Sequence, residues 1–261
     1  MDSLPSYRKP PVNEVVCGVR FHASDKLYIP HIGLLWDRFK AEYPKVQHAP
    51  PLAARTGQLL VDSATGVPIP RVWFVNEVGD ELIQFQSDGF YFNWRRREGD
   101  YPRYEHIIEN FKKVANIIED FYEEYELGSI EPMEYELTYI NHIPKGGGWD
   151  SIEDLPRVFS NLNWAQMEGR FLPRPDIVSW QAVFLLPEGK GRLIVSLKQG
   201  TRSEDQVPVL ILELKVLGID NSAKKEGIRN WFNLSHEWIV RGFADLTTPE
   251  IHELWEREDN E

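Results

Sequence analysis

Four arginines and several aromatic residues lie close together in the segment FNWRRREGDYPRYE, residues 92–105. The candidate binding residues in this segment are Trp94, Arg95, Arg96, Arg97, Tyr101 and Arg103. A guanidinium binds a carboxylate or phosphate through two parallel N–H groups, and an aromatic ring can stack on a base. The segment also runs into the expected start of a long helix, where free backbone N–H groups favour an anion. The pattern predicts an anion or nucleotide site. The alternative is pairing with surplus carboxylates, because successive residues at a strand exit cannot share a face.

Three further residues could orient a ligand or a partner. Asn141 and His142 end an expected strand, and His236 lies within the last long helix. A zinc-protease helix needs a second histidine four residues after the first, and Val240 stands there instead. The alternative for Asn141 and His142 is that both are buried and form hydrogen bonds with the polar groups of a loop. A lone histidine such as His236 more often has a structural role.

A short carboxylate pattern resembles that of metal-dependent nucleases. Asp176 opens an expected strand, and Glu213 and Lys215 lie two residues apart in a later strand. Asp176 and Glu213 would hold Mg²⁺, and Lys215 would orient the attacking water. The net charge opposes a DNA substrate, and an intervening hairpin strand at 191–199 would separate the two carboxylates.

Composition and charge exclude several classes of protein. The 261 residues include 29 Lys and Arg against 41 Asp and Glu, a net charge of −12 that opposes general nucleic-acid binding. Cys17 is the one cysteine, so an intrachain disulfide is excluded. There is no apolar run of the roughly 20 residues that a membrane helix needs, and the start lacks a signal-peptide core. We expect a cytoplasmic protein with no cofactor, no metal and no membrane contact.

Hydrophobic periodicity predicts two similar halves, each with a strand, a helix, three or four antiparallel strands and a long helix. The first half has a strand from Val12, a helix from Pro30, three strands joined by hairpins over 71–94, and a helix over about 104–126. The second half has elements at 131–143, 152–160, 164–172 (weak), 176–187, 191–199 and 207–219, a helix ending near Phe243, and a last short helix from Thr248-Pro249.

The predicted fold class is therefore α+β, with residues 1–127 as the first half and 128–261, including a short acidic C-terminal helix, as the second. In each half a long helix would cover an antiparallel sheet. This order resembles the TATA-box-binding-protein fold and the helix-grip fold. The alternative is a single α+β domain in which the order of elements repeats by chance. Fold alone implies no function.

Five segments together resemble a sporadically distributed bacterial family of conserved hypothetical proteins. They are PPVNEVVCGVRF, HIGLLWDRFKAEYP, ELIQFQSDGFYFNWRRREGDYPRYE, YINHI and HEWIVRGFADLT. The resemblance covers most of the chain. It implies no catalytic residue, because that family has no established activity, and its patchy distribution implies mobile or defence-linked genes.

Three functional hypotheses follow. The first is a non-catalytic regulatory protein, antitoxin-like or defence-linked, that binds a protein partner or self-associates through its many Trp and Tyr residues. The second is an anion or nucleotide sensor that uses the Arg95–Arg103 cluster. The third is the Mg²⁺-dependent nuclease. Because no complete catalytic motif is present, we expect a binding protein in preference to an enzyme.

Overall fold

The computed structural model describes residues 3–50, 61–97, 99–162, 171–173, 175–202, 205–220 and 225–258. The weak strand predicted at 164–172 falls almost entirely outside these residues. The strands are β1 (Ser6–Tyr7), β2 (Val12–Phe21), β3 (Lys45–Ala49), β4 (Arg71–Val75), β5 (Glu81–Gln86), β6 (Gly89–Arg95), β7 (Pro132–Pro144), β8 (Trp180–Leu185), β9 (Arg192–Thr201), β10 (Pro208–Gly218) and β11 (Arg257–Glu258). The helices are α1 (Ile29–Phe39), α2 (Tyr104–Glu124), α3 (Leu155–Val158), α4 (Lys225–Leu246) and α5 (Pro249–Leu254).

Contacts divide the chain into two compact units. The first unit comprises residues 14–137, and the second comprises residues 1–13 together with 138–261. In the described part of the chain, no helix is both long enough and apolar enough to cross a membrane.

The first unit contains an antiparallel sheet with the strand order β3-β4-β5-β6-β2-β7. Helix α2 covers one face of this sheet because its apolar residues recur every three or four positions. The ring of Phe90 on β6 lies 6.0 Å from that of Phe111 on α2. Each large apolar side chain buried in this way contributes about 1.5–3 kcal/mol to stability. The pair Asp88-Gly89 predicts a two-residue turn, but Gln86 pairs with Gly89, so the turn lies one residue earlier, at residues 87 and 88.

The second unit contains the order β7-β10-β9-β8, with α4 packed on β9 and β10. A methyl group added at Gly242 of α4 would lie 3.3 Å from Leu193, so the helix approaches the sheet closely there. Helix α5 begins as predicted, since the Thr248 hydroxyl accepts a hydrogen bond from the Ile251 amide. A two-stranded sheet pairs β1 with β11, with Tyr7 opposite Arg257.

The predicted α+β class with two similar halves is confirmed. In each half the first strand lies beside the last one, β2 beside β6 and β7 beside β10. A long helix then packs against the sheet in each unit. The halves differ in their first helix, which has 11 residues in α1 and 4 in α3.

Candidate anion-binding face

The sheet of the first unit has a polar face on the side opposite α2, here called the outer face. Side chains alternate along each strand, so Phe90 and Phe92 point toward the helix while Tyr91, Asn93 and Arg95 point away. The register places Trp73 opposite Gln84, and Gln84 opposite Tyr91. Gln84 and Asn93 are only 7% and 3% exposed. Amides buried to this extent must be hydrogen-bonded, or they cost stability.

Four side chains form a hydrogen-bond chain across this face. Arg71 donates a terminal N–H to Oε1 of Gln84. Nε2 of Gln84 donates to Oδ1 of Asn93 at 2.6 Å. Nδ2 of Asn93 then donates to Oε1 of Glu14 at 2.5 Å. The chain therefore links a guanidinium to a carboxylate through two amides, and it holds Arg71 in place.

Two guanidinium groups lie around the indole of Trp73. The Cζ atoms of Arg71 and Arg95 are 5.5 Å and 5.9 Å from the centroid of the ring. Within the described residues, no acidic side chain forms an ion pair with either group. Arg71 donates to the carbonyl of Pro50 as well as to Gln84, and Arg95 donates to the carbonyl of Gly79 at 3.1 Å. Both cations thus lack an ion pair among the described residues, although the charges of Glu14 and Asp80 partly offset the lowering of the Arg95 pKa.

Three N–H donors of this cluster are buried without a described acceptor. They are Nε of Arg71, Nε1 of Trp73 and Nε of Arg95. Burial lowers the pKa of the Arg71 guanidinium, and burial followed by the charge of Arg97 lowers the pKa of Arg95. Each unsatisfied buried donor costs about 1–3 kcal/mol, so the arrangement is unfavourable without a further partner.

The neighbouring cation on the outer face is neutralised. Arg20 forms an ion pair with Asp88, and Gln86 donates to the same carboxylate. Glu14 lies opposite Arg95 in the register, but its Oε1 accepts the hydrogen bond from Asn93. Within the described residues of the outer face, Arg71 and Arg95 thus differ from Arg20 in having no ion pair.

The structure separates the residues of the predicted arginine cluster. Trp94 lies on the helix side of β6, 4% exposed, with its ring 5.5 Å from that of Tyr101. Arg95 reaches the outer face, while Arg97 and Arg103 are exposed. Arg96 is half-buried, and burial lowers its pKa. Of the predicted residues, the structure brings only Arg95 to Trp73.

The other predicted binding residues lie in the second unit. Asn141 is 2% exposed and donates from Nδ2 to the carbonyl of Leu212 at 3.1 Å, a bond that ties β7 to β10. The backbone N–H of His142 donates to the carbonyl of Pro11 at 2.9 Å. The ring of His236 lies 6.1 Å from that of Tyr139, and burial lowers its pKa to about 4. His236 is therefore neutral at pH 7.

The three residues of the nuclease pattern are not assembled into a metal site. Strand β8 begins at Trp180 rather than at Asp176, which lies in a bend. Glu213 on β10 pairs with Ser196 on β9, and β9 separates β10 from β8. Lys215 Nζ lies 3.4 Å from Oε1 of Glu213. Throughout the residues that the structure describes, no group of three His, Cys, Asp or Glu side chains could hold a metal ion.

The residues that sequence reasoning missed are Arg71, Trp73, Gln84 and Asn93. Their signal is that the strands RVWFV and ELIQFQ place Arg71 and Trp73, and Gln84 and Gln86, two positions apart among apolar residues. Such alternation is typical of a half-exposed strand, and so it does not by itself reveal that these side chains are buried.

Comparisons with known proteins leave the function open. No family model matches the sequence, and no curated protein matches it. One solved structure that matches is the crystal structure of the di-domain ARO/CYC StfQ from the steffimycin biosynthetic pathway. It is 11% identical, with 93% of this chain and 96% of that chain covered, and the TM-score is 0.21. A likeness at that TM-score carries no argument about this chain.

Proposed function

We propose that this chain is a non-catalytic binding protein that holds a small anion on the outer face, beside Trp73. The observation that supports the proposal is the pair of guanidiniums without an ion pair among the described residues, Arg71 and Arg95, next to an indole whose N–H lacks a described acceptor. Removing a cation from water costs several kcal/mol unless a counter-charge compensates. An anion would supply that charge and accept the three buried N–H groups.

The chemistry of the face favours binding over catalysis. The side chains that line it around Trp73 are guanidiniums, carboxamides, one carboxylate that is already hydrogen-bonded and the phenol of Tyr91. Guanidiniums and carboxamides are neither nucleophiles nor proton donors near neutral pH, and burial raises the pKa of the Tyr91 phenol. They can orient and neutralise an anion, and they offer nothing that would break a bond in it.

Burial across the face indicates the side from which a ligand enters. The first four residues of β3 are exposed, Arg71 and Trp73 on β4 are half-buried, and Gln84 on β5 is buried. A ligand that enters past β3 would meet Trp73 and Arg71 before it reaches the amides. The cluster therefore combines access for a ligand with the low-dielectric surroundings that strengthen ionic contacts.

The test is thermal unfolding of the protein in the presence of a panel of anions. An anion present at a hundred times its Kd stabilises the folded state by about 2.7 kcal/mol. For a protein of this size that corresponds to a Tm increase of about 5–10 °C. Arg71→Gln and Arg95→Gln should lose this increase. Arg192→Gln removes one exposed arginine from the second unit and should retain it.

If no multivalent anion raises the Tm of the unsubstituted protein, the proposal is wrong. It is equally wrong if the two outer-face variants respond as Arg192→Gln does. The antitoxin-like, defence-linked role stays a prediction, because it requires a partner protein whose binding the geometry of this face does not address.

A further inference from the structure

The three unsatisfied donors beside Trp73 come from three different side chains. The terminal nitrogens of Arg71 each donate one N–H, to Gln84 and to the carbonyl of Pro50, and its buried Nε has no described acceptor. One terminal nitrogen of Arg95 donates to Gly79, and its Nε also lacks an acceptor. The third donor is Nε1 of Trp73. An anion that accepts from all three would therefore accept one N–H from each of three side chains.

This donor set discriminates between anions by shape. A carboxylate has two coplanar oxygens, and two parallel N–H groups of one guanidinium match it best. A tetrahedral oxyanion has oxygens pointing in several directions and can accept from three separate donors at once. Each terminal nitrogen of Arg71 already gives one of its two N–H groups to a protein acceptor, and the three donors without a described acceptor belong to three separate side chains.

The charge of the cluster also favours a multiply charged oxyanion. Arg71 and Arg95 each lack an ion pair within the described residues, while Arg20 has Asp88. A dianion can neutralise both guanidiniums, whereas a monocarboxylate can neutralise one. A phosphate monoester carries about −1.5 to −2 charges at pH 7.

We infer that the anion bound beside Trp73 is a phosphate group, either inorganic phosphate or the terminal phosphate of a nucleotide. The inference rests on the proposed function and narrows it to one ligand class. Trp73 and the two arginines act together: the indole positions both guanidiniums over its ring and contributes its own N–H to an oxygen.

Isothermal titration calorimetry with five anions tests the inference. The titrants are inorganic phosphate, sulfate, AMP, succinate and acetate. Phosphate and sulfate, both tetrahedral and multiply charged, should bind at least tenfold more tightly than succinate, and acetate should bind weakest. AMP binding more tightly than inorganic phosphate would identify a nucleotide as the source of the group. The reverse order would identify free phosphate, and both orders support the phosphate class.

Three variants separate a ligand contact from a structural role. Trp73→Phe keeps a ring but loses the N–H, and it should weaken phosphate binding about threefold to tenfold. Arg71→Gln should weaken it by about ten- to a hundredfold. Arg71→Lys keeps the charge and should bind phosphate with an affinity between those of Arg71→Gln and the unsubstituted protein. Circular dichroism of each variant without ligand verifies that it is folded.

Two results would overturn the inference in different ways. If succinate binds as tightly as phosphate, or if Trp73→Phe leaves the phosphate affinity unchanged, the ligand is not a tetrahedral oxyanion held by the indole, although the proposed anion-binding function stands. If none of the five anions binds, both the inference and the proposed function fail.

Discussion

Replacing Asn93 by leucine removes the central link of the hydrogen-bond chain on the outer face. Asn93 is 3% exposed, accepts from Gln84 at 2.6 Å and donates to Glu14 at 2.5 Å. Leucine has a similar size, so little cavity forms. The amide of Gln84 loses its acceptor, which costs about 1–3 kcal/mol, and the carboxylate of Glu14 loses a donor worth about 1.5–3 kcal/mol. We expect the free energy of unfolding to fall by about 3–5 kcal/mol.

Urea unfolding followed by circular dichroism measures this change. Asn110→Leu is the matched control, because Asn110 also donates to a carboxylate, at 3.1 Å to Glu81, but is only half-buried. Its loss should cost less than about 1 kcal/mol. The double variant Gln84→Leu/Asn93→Leu no longer contains the Gln84 amide that Asn93→Leu leaves without an acceptor. Its loss of unfolding free energy should therefore be about 1 kcal/mol smaller than the sum of the losses of the two single variants. A loss below 1 kcal/mol for Asn93→Leu, or full additivity, would refute the view that the chain is continuous.

Three further predictions follow from single buried positions. Burial raises the pKa of the Cys17 thiol, so a thiol-alkylating reagent should not label it in the native protein; rapid labelling would contradict this. A methyl group at Gly18 would lie 2.0 Å from Cδ1 of Tyr91, so Gly18→Ala should lower the free energy of unfolding by about 1–3 kcal/mol. A methyl group at Gly33 in α1 would meet nothing within 4 Å, so Gly33→Ala should raise the free energy of unfolding by about 0.5–1 kcal/mol. Burial lowers the pKa of His236 from 6.5 to about 4. The unfolded chain therefore binds the proton first, and the stability that neutral His236 contributes is complete above pH 6.5 and declines by about 3 kcal/mol as the pH falls toward 4. Denaturation measured across this pH range should show that loss, and His236→Phe should not.

The elements of both halves follow from periodicity that is visible in the sequence. The spacing of Ile107, Phe111, Val114 and Ile118 predicts the buried stripe of α2, and the structure buries all four. Strand ends are harder to predict because their signals compete. The sequence pattern predicts a strand from Asp176, but β8 starts at Trp180. Trp180 is the first residue of this segment to pair with β9, opposite Leu197.

The candidate site required information that a linear pattern does not contain. Trp73 and Arg95 are 22 positions apart, and they meet because β4, β5 and β6 form consecutive hairpins with a defined register. The hairpins themselves were predicted. The end of β6 decides which of the three successive arginines, Arg95, Arg96 or Arg97, lies beside Trp73. The backbone N–H of Arg95 donates to the carbonyl of Asp80 at 2.6 Å, and this bond extends the strand to Arg95.

The pairing of β1 with β11 sets an order of events during synthesis. Ser6 bonds to Glu258 across a separation of 252 positions, and the ring of Tyr7 packs against those of Phe243 and Trp255. At about 5–20 residues per second, the ribosome releases these partners roughly 10–50 s after Tyr7 emerges. Residues 14–137 are continuous and can reach their native contacts during that interval. Ser6 and Tyr7 therefore stay without their β11 partners during that interval, while residues 14–137 can already be folded.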